Sequence, residues 1–404
     1  MAKVEKISIS LTGELADVVR GAVNSGRYAS TSEVIRAAIR ENMPYDQFAR
    51  ALLTSSGSNF RAPPVNFYRA LQKKDPPTTA RAVALTFMGV RPEGLPEERW
   101  DALAPFFSQI GYKATGEWKE EIVFFDSRKS LKTVEAVFPD GTAATLTPGQ
   151  DPRVAFADWL ITPKNPWFTR NIANRTWAWL LGRGIIHESD DIRPDNFPSN
   201  PELLAYLEQE LSSARYDLKH LYRLILNSKT YQLSCVAVND PEAAALFASY
   251  PIRRLDAEVL IDAICQITGT TEHYFSPIPE PFTFLPHGHR AISLPDASIT
   301  SPFLEMFGRP SRDTGLESER DNKFTAAQRL HLLNSAHIQK KIEKGPGLSG
   351  LLTSSKDLKE IAQELYLTIL SRYPTREELN EALGAESADL AWALINSAEF
   401  LCRH

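Results

Sequence analysis

The chain has 404 residues, 43% hydrophobic, 10% aromatic and 24% charged, with a formal net charge of -5. That composition supports a large core in two or three domains of ~100–200 residues each, and it excludes a chain that is basic throughout, so nucleic-acid contact has to come from a local patch. Cys235, Cys265 and Cys402 are too scattered for a disulfide framework, a zinc knuckle or a CxxCH haem attachment.

The first elements lie within residues 1–41. Ile7, Ile9 and Leu11 alternate with Lys6, Ser8 and Ser10, the pattern of a half-buried strand. From Glu14 the period becomes helical, with Leu15, Val18, Val19, Ala22 and Val23 on one face, ended by Asn24-Ser25-Gly26. Ser30 and Glu33 form a capping box for a second helix carrying Val34, Ile35, Ala38 and Ile39. About forty residues is near the lower limit for an independent fold, so a homodimer through the strand is expected. The segment holds six Lys/Arg (Lys3, Lys6, Arg20, Arg27, Arg36, Arg40) against five Asp/Glu (Glu5, Glu14, Asp17, Glu33, Glu41), a charge of the sign that suits DNA. In a ribbon-helix-helix dimer, Lys6, Ser8 and Ser10 face base edges in the major groove, and the free amides around Thr31 and Ser32 suit a phosphate.

Ile7-Ser8-Ile9-Ser10-Leu11, Ser25-Gly26-Arg27-Tyr28 and Ser32-Glu33-Val34-Ile35-Arg36 together resemble ParD-type antitoxins. The resemblance implies a dimer that binds DNA, regulates transcription of its own operon and pairs with a ParE-type toxin. The toxin-binding tail expected after Glu41 has no clear counterpart here.

Beyond Asn42 a helix with Pro44 in its first turn runs through Leu53, and Ser55-Ser56-Gly57-Ser58 breaks it. Arg81–Met88 reads as a helix, and Glu121–Phe125 and Val134–Phe138 read as strands, with Pro139-Asp140-Gly141 as a turn. From Asp151 the pattern is mainly helical: Ala155–Leu160, Phe168–Leu181, Pro201–Leu211, Leu218–Leu226, Asp256–Ile267, Thr325–Lys341, Leu358–Leu370 and Leu390–Phe400. A long irregular stretch, about 273–322, separates two of these helices, and loops of that length are commonly functional.

This body resembles the planctomycete-type family of unknown function whose members often carry a cytochrome c domain. The matching text includes Pro44-Tyr45-Asp46-Gln47-Phe48, Asn174-Arg175-Thr176-Trp177, Arg193-Pro194-Asp195-Asn196 and Phe307-Gly308-Arg309-Pro310-Ser311-Arg312. The expected fold is mainly α: a ribbon-helix-helix (β-α-α) arm plus a large helical body with a few short strands. The expected domains are residues 1–41 as the arm, 42–150 as a truncated first family domain of mixed α/β character, and 151–404 as a helical second family domain. Relatives with haem carry CxxCH, and none occurs here, so no cofactor is expected.

Three clusters in the body carry potential chemistry. His187-Glu188-Ser189-Asp190-Asp191 is dense in metal-capable side chains, with pairing to Arg183 and Arg193 as the alternative. His287-Gly288-His289 offers two imidazoles but no nameable third ligand, so no metal site is assigned. Arg309, Arg312, Asp313, Glu317 and Arg320 form a charged loop able to bind an anion, with Glu317 as a general base; the alternative is a buried ion-pair network joining helices. His331 and His337, six apart on one expected helix, do not share a face. Trp167, Trp177 and Trp179 read as core rather than as a sugar platform. No GxSxG, Walker or GxGxxG pattern occurs.

The sequence therefore reads as a cytoplasmic, DNA-binding, antitoxin-like regulator arm fused to a helical domain of unknown biochemistry. No apolar run reaches the ~18 residues of a membrane span, so no membrane partner is expected. The alternatives are a hydrolase-like enzyme or a non-catalytic scaffold in which the arm only dimerises.

Overall fold

A computed structural model of the protein describes residues 41–71, 73–117, 120–129, 132–235, 240–276, 285, 287–294, 299–309, 320–321, 323–354 and 356–403. The strand and two helices expected within 1–41 lie almost wholly outside the described residues. Those that are described are mainly helical, with short strands. They divide into two compact units, residues 41–232 with 240–248 and residues 233–235 with 249–403. The division falls at 232–249, whereas the sequence pattern changes character near 150.

The first unit begins with helix Tyr45–Leu53, entered through Pro44 at φ -54°. Tyr45, Ala49, Leu52 and Leu53 recur at helical spacing and are buried together. The Tyr45 ring stacks on Phe168 at 5.1 Å, and its N–H donates to the Tyr216 carbonyl at 3.0 Å. Burial pushes the Tyr45 phenol up to about 12.

Strand Glu121–Phe125 is the centre of a three-stranded antiparallel sheet, between Ile110–Ala114 and Gly57–Ser58. The serine-glycine segment expected only to end a helix therefore also supplies an edge strand. Gly111 faces Phe124 across the ladder, and a Cβ there would come within 2.5 Å of the Phe124 ring, so this register requires glycine. Val134–Val137 pairs with Ala143–Leu146 in a separate hairpin, turned at Gly141 with φ +92°.

Helix Pro76–Met88 starts earlier than expected because Asp75 caps it, accepting from the Thr78 N–H at 2.8 Å, with two prolines in the first turn. Pro152–Leu160 is capped by Asp151 in the same way. Phe168–Leu181 and Leu218–Leu226 have the expected bounds, and the helix from Pro201 runs on to Ser213. The core is aromatic: Phe106 stacks on Phe138 at 4.7 Å, and Phe107 meets Phe156 edge-on at 5.3 Å. Trp177 is buried with its ring 5.2 Å from Phe247, whereas Trp179 is 45% exposed.

Two polar devices hold this unit. Arg153 is buried, paired with Asp151 at 2.7 Å, and donates to the Ser55 carbonyl at 2.7 Å and to Ser56 Oγ at 3.0 Å. Its guanidinium lies over the Tyr68 ring, and the Tyr68 hydroxyl donates to the Leu53 carbonyl. Asn174, fully buried, donates from Nδ2 to the Ile186 carbonyl at 3.1 Å and accepts from the Ile186 N–H at 2.9 Å. Its neighbour Arg175 donates to the carbonyls of Leu85 and Thr86 at 2.7 and 2.6 Å. The Asn-Arg-Thr-Trp text is thus a clamp that joins helix Phe168–Leu181 to the end of helix Pro76–Met88 and to the loop at Ile186.

The second unit packs around helix Ala257–Thr268, whose Ala257, Leu260, Ile261 and Ile264 are buried among Phe303, Phe307, Leu332, Ile338, Leu365 and Leu394. Arg253–Arg254 pairs antiparallel with Cys402–Arg403, and the Leu255 N–H donates to the Leu401 carbonyl at 2.9 Å. The single helix expected over Thr325–Lys341 is two, Ala326–Asn334 and Ala336–Lys344. Ser335 separates them: it takes an extended ψ of 134°, ending one helix, and its hydroxyl accepts from the Ile338 N–H to start the next. Leu390–Phe400 likewise resolves into Ser387–Ile395 and Ala398–Leu401, with Ser397 as the cap between them. The stretch expected to be irregular contains helix Pro302–Met306 and a bridge between Phe275 and Thr300. Among the described residues, no helix is long and apolar enough to cross a membrane.

Asn174→Ala removes both partners of a buried peptide group. With ~1–3 kcal/mol lost for each buried group left unpaired, urea unfolding of the variant should show a loss of about 2–6 kcal/mol. Asn174→Asp should not recover it, since the buried carboxylate would face the Ile186 carbonyl oxygen.

Candidate functional site

The residues expected to touch DNA, Lys6, Ser8, Ser10, Thr31 and Ser32, lie outside the described residues. So do Arg312, Asp313 and Glu317 of the charged loop. Arg309 and Arg320 are described, and both turn to one carboxylate. Glu258, in the first turn of helix Ala257–Thr268, accepts from Arg320 through both oxygens at 2.7 and 3.0 Å and lies 3.1 Å from Arg309 Nε. The Glu258 and Arg309 side chains are 9% and 8% exposed. Burial would raise the Glu258 carboxyl, but the Arg320 hydrogen bonds and charge, with Arg309 behind them, outweigh it and hold the group below the usual carboxylate range. Arg309 also donates to the Ile299 carbonyl, and Arg254 donates to the carbonyls of Phe307 and Asp321 at 2.7 and 3.1 Å. Arg309 and Arg320 thus enter a buried ion-pair network with Glu258.

The other two sequence clusters are also taken up internally. Glu188 pairs with Arg91 at 2.8 Å, Asp190 with Arg175 at 2.6 Å and Asp191 with Arg193 at 2.8 Å. His289 Nε2 lies 2.7 Å from the Ser293 carbonyl, and the His287 ring meets His273 instead, with centroids 6.3 Å apart.

The constellation that sequence reasoning missed lies in the second unit. Because Ser335 breaks the helix, His331 and His337 belong to successive helices and their rings meet, contrary to the one-helix expectation. His331 Nε2 lies 3.3 Å from His337 Nδ1, and His337 Nε2 lies 2.9 Å from Glu272 Oε2. Lys341, one turn beyond His337, puts its Nζ 3.1 Å from the same oxygen. It also donates to the Thr271 carbonyl at 2.8 Å, to Thr270 Oγ1 at 3.3 Å and to Cys265 Sγ at 3.4 Å. The Ser335 N-cap was the available sequence signal, but the apolar periodicity running across it hid the break.

The two ring centroids are 5.6 Å apart, so both facing nitrogens lie close to the line joining the ring centres. That is the alignment of an N–H···N hydrogen bond. Two imidazoles sharing a tetrahedral metal at ~2.0–2.1 Å would aim their lone pairs off that line, towards the ion. Among the described residues, no group of three or more His, Cys, Asp or Glu is placed to hold a metal. With both rings neutral the tautomers follow. His337 donates from Nε2 to Glu272 and accepts at Nδ1 from His331 Nε2, which leaves the remaining lone pair on His331 Nδ1. A proton taken up at that atom can be passed through His337 towards Glu272, the connectivity of a general-base relay.

The charges keep Glu272 ionised, so it orients and steadies the His337 imidazole and does not itself take the proton. Burial would raise the Glu272 carboxyl, but the His337 hydrogen bond, the charge His337 carries when protonated and the charge of Lys341 hold it below the usual range. Desolvation lowers His331 first and His337 lowers it further, while Glu272 partly opposes them.

Residues 152–385 match the family model PSD1, described as protein of unknown function (DUF1553). Residues 1–53 match a model described as bacterial antitoxin of ParD toxin-antitoxin type II system and RHH, which includes helix Tyr45–Leu53. Comparisons with curated proteins and with solved structures gave no match.

Glu258→Gln strands two guanidinium groups on a neutral amide. Breaking a buried pair in this way costs ~3–5 kcal/mol, so the urea midpoint of the full chain should fall well below that of wild type. His331 gives a pH signature. Its folded value lies below the unfolded value of ~6.5, so the unfolded chain takes up the proton first as pH falls. Stability should therefore drop progressively below about pH 6.5, and His331→Asn should flatten that part of the profile. Glu258 and Glu272, both lowered, contribute stability above the unfolded glutamate value of ~4.3; it is lost at more acid pH, as each folded group protonates.

Proposed function

We propose, starting from a chain that belongs to the PSD1 family of proteins of unknown function (DUF1553), that this member is a DNA-binding, antitoxin-like transcriptional regulator carrying the PSD1 body as a passenger domain. The observation behind the reading is the match of residues 1–53 to ParD-type antitoxins with a ribbon-helix-helix. It agrees with the strict alternation of Ile7, Ile9 and Leu11 against Lys6, Ser8 and Ser10. In this reading two copies pair their strands and place Lys6, Ser8 and Ser10 in the major groove, while Thr31 and Ser32 hold a phosphate at the helix N-terminus. The regulator acts in the cytoplasm, and a ParE-type toxin is the further partner that the family implies.

A second reading, in which the body is a hydrolase-like enzyme and the arm only dimerises, draws on the in-line Glu272, His337 and His331 relay. A screen of ester, phosphoester and glycoside substrates tests it: turnover lost in His331→Gln favours an enzyme, and no turnover above the blank removes the reading.

The regulator reading is tested by gel-shift titration of the full chain against the DNA upstream of its own gene, at several salt concentrations. Wild type should bind with strong salt dependence. The double variant Lys6→Ala, Ser8→Ala should lose specific binding but keep a slope of log affinity on log salt close to that of wild type, because these side chains read base edges and not phosphates. Its thermal unfolding should match wild type. Unchanged binding in the variant would remove the groove assignment.

A further inference from the structure

Helices Phe168–Leu181, Pro201–Ser213 and Leu218–Leu226 surround a cavity of about 460 Å3 within the first unit. That volume lies in the range of small-molecule sites. Trp177, Leu207 and Ile225 form its inner wall and are each no more than 2% exposed, while Tyr206, 47% exposed, stands at the mouth. The indole N–H of Trp177 is buried and has no acceptor among the described residues. A buried donor left unpaired is costly by ~1–3 kcal/mol, which is unusual for a wall built only for packing.

The polar lining is Arg223, His220, Ser228, Thr230 and Asn227. His220 is already engaged, with Nε2 3.0 Å from Glu210 Oε2. Arg223 differs from most arginines of this unit: Arg50, Arg81, Arg91, Arg153, Arg170, Arg175 and Arg193 all lie against a carboxylate, whereas the Arg223 side chain has no hydrogen-bond or ion-pair partner among the described residues. One unpaired guanidinium at an apolar, aromatic cavity fits a single carboxylate on an apolar body. The nearby Glu210 charge disfavours a dianion such as a phosphate monoester.

We propose that this cavity is a binding site for a small aromatic monocarboxylate, its ring against Trp177 and Leu207 and its carboxylate on Arg223. The site is independent of the regulator reading, because it uses neither the arm nor the histidine relay.

Isothermal titration of the full chain with 2-naphthoate, 2-naphthylmethanol and 2-naphthyl phosphate tests it. Naphthoate should bind most tightly. Arg223→Gln, an exposed substitution that leaves the fold intact, should weaken naphthoate by about tenfold, the size of one charge-assisted hydrogen bond, and leave the alcohol unchanged. Leu207→Trp, with unfolding checked by melting, should abolish binding of both. Equal binding of acid and alcohol, or no effect of Arg223→Gln on the acid, overturns the carboxylate assignment. Tighter binding of the phosphate overturns the preference for a monoanion. No binding of any of the three at millimolar concentration overturns the site.

Discussion

A charge removed from water has to be neutralised where it sits, and each unit of this protein is organised around one such group. In the first it is Arg153, whose guanidinium fixes the segment around Ser55 and Ser56 to the start of helix Pro152–Leu160. In the second it is Glu258, which gathers Arg309 and Arg320. Breaking either costs more than the pair itself contributes, because the surviving partner stays buried. These charges therefore act as positional constraints first and as stabilisers second. They set where loops return to helices, and the apolar faces pack within those limits.

The same constraint explains what the sequence discloses and what it does not. Phe168–Leu181 and Leu218–Leu226 have the expected bounds, the second with its Asp217 cap, whereas the Asp75 cap of Pro76–Met88 is passed over because the apolar period is clear only from Arg81. Ser335 shows the opposite case. A serine inside an apolar period is compatible with a continuous helix, and only the tertiary packing of Ile338 and Ile342 selects the break. The charged residues at 309 and 320 were visible as a cluster, but their partner Glu258 lies some fifty residues earlier in the chain, beyond what local pattern can reach. The short strand Gly57–Ser58 was hidden for the same reason, since its pairing with Val123 and Ile122 is non-local.

Of the candidate sites, the histidine relay was the least legible, though every member was in view. Its geometry depends on one backbone torsion at Ser335, which turns two separate side chains into neighbours. The cavity beside Trp177 was concealed differently. Its walls are residues that any helical core would use, and the buried Trp177 N–H and the Arg223 guanidinium, neither of them paired among the described residues, distinguish it. In both places the informative feature is a polar group whose bonding capacity exceeds what its surroundings use.

The pairing of Arg253–Arg254 with Cys402–Arg403 has a consequence for how the second unit is made. The strand next to its central helix emerges from the ribosome long before its partner does. Until synthesis reaches residue 403 the apolar face of Ala257–Thr268 has only part of its cover, and the closing of so long a loop comes late. Nascent chains should therefore be most exposed to chaperones and proteases over this interval, and quality control would act on incomplete copies of this unit in particular.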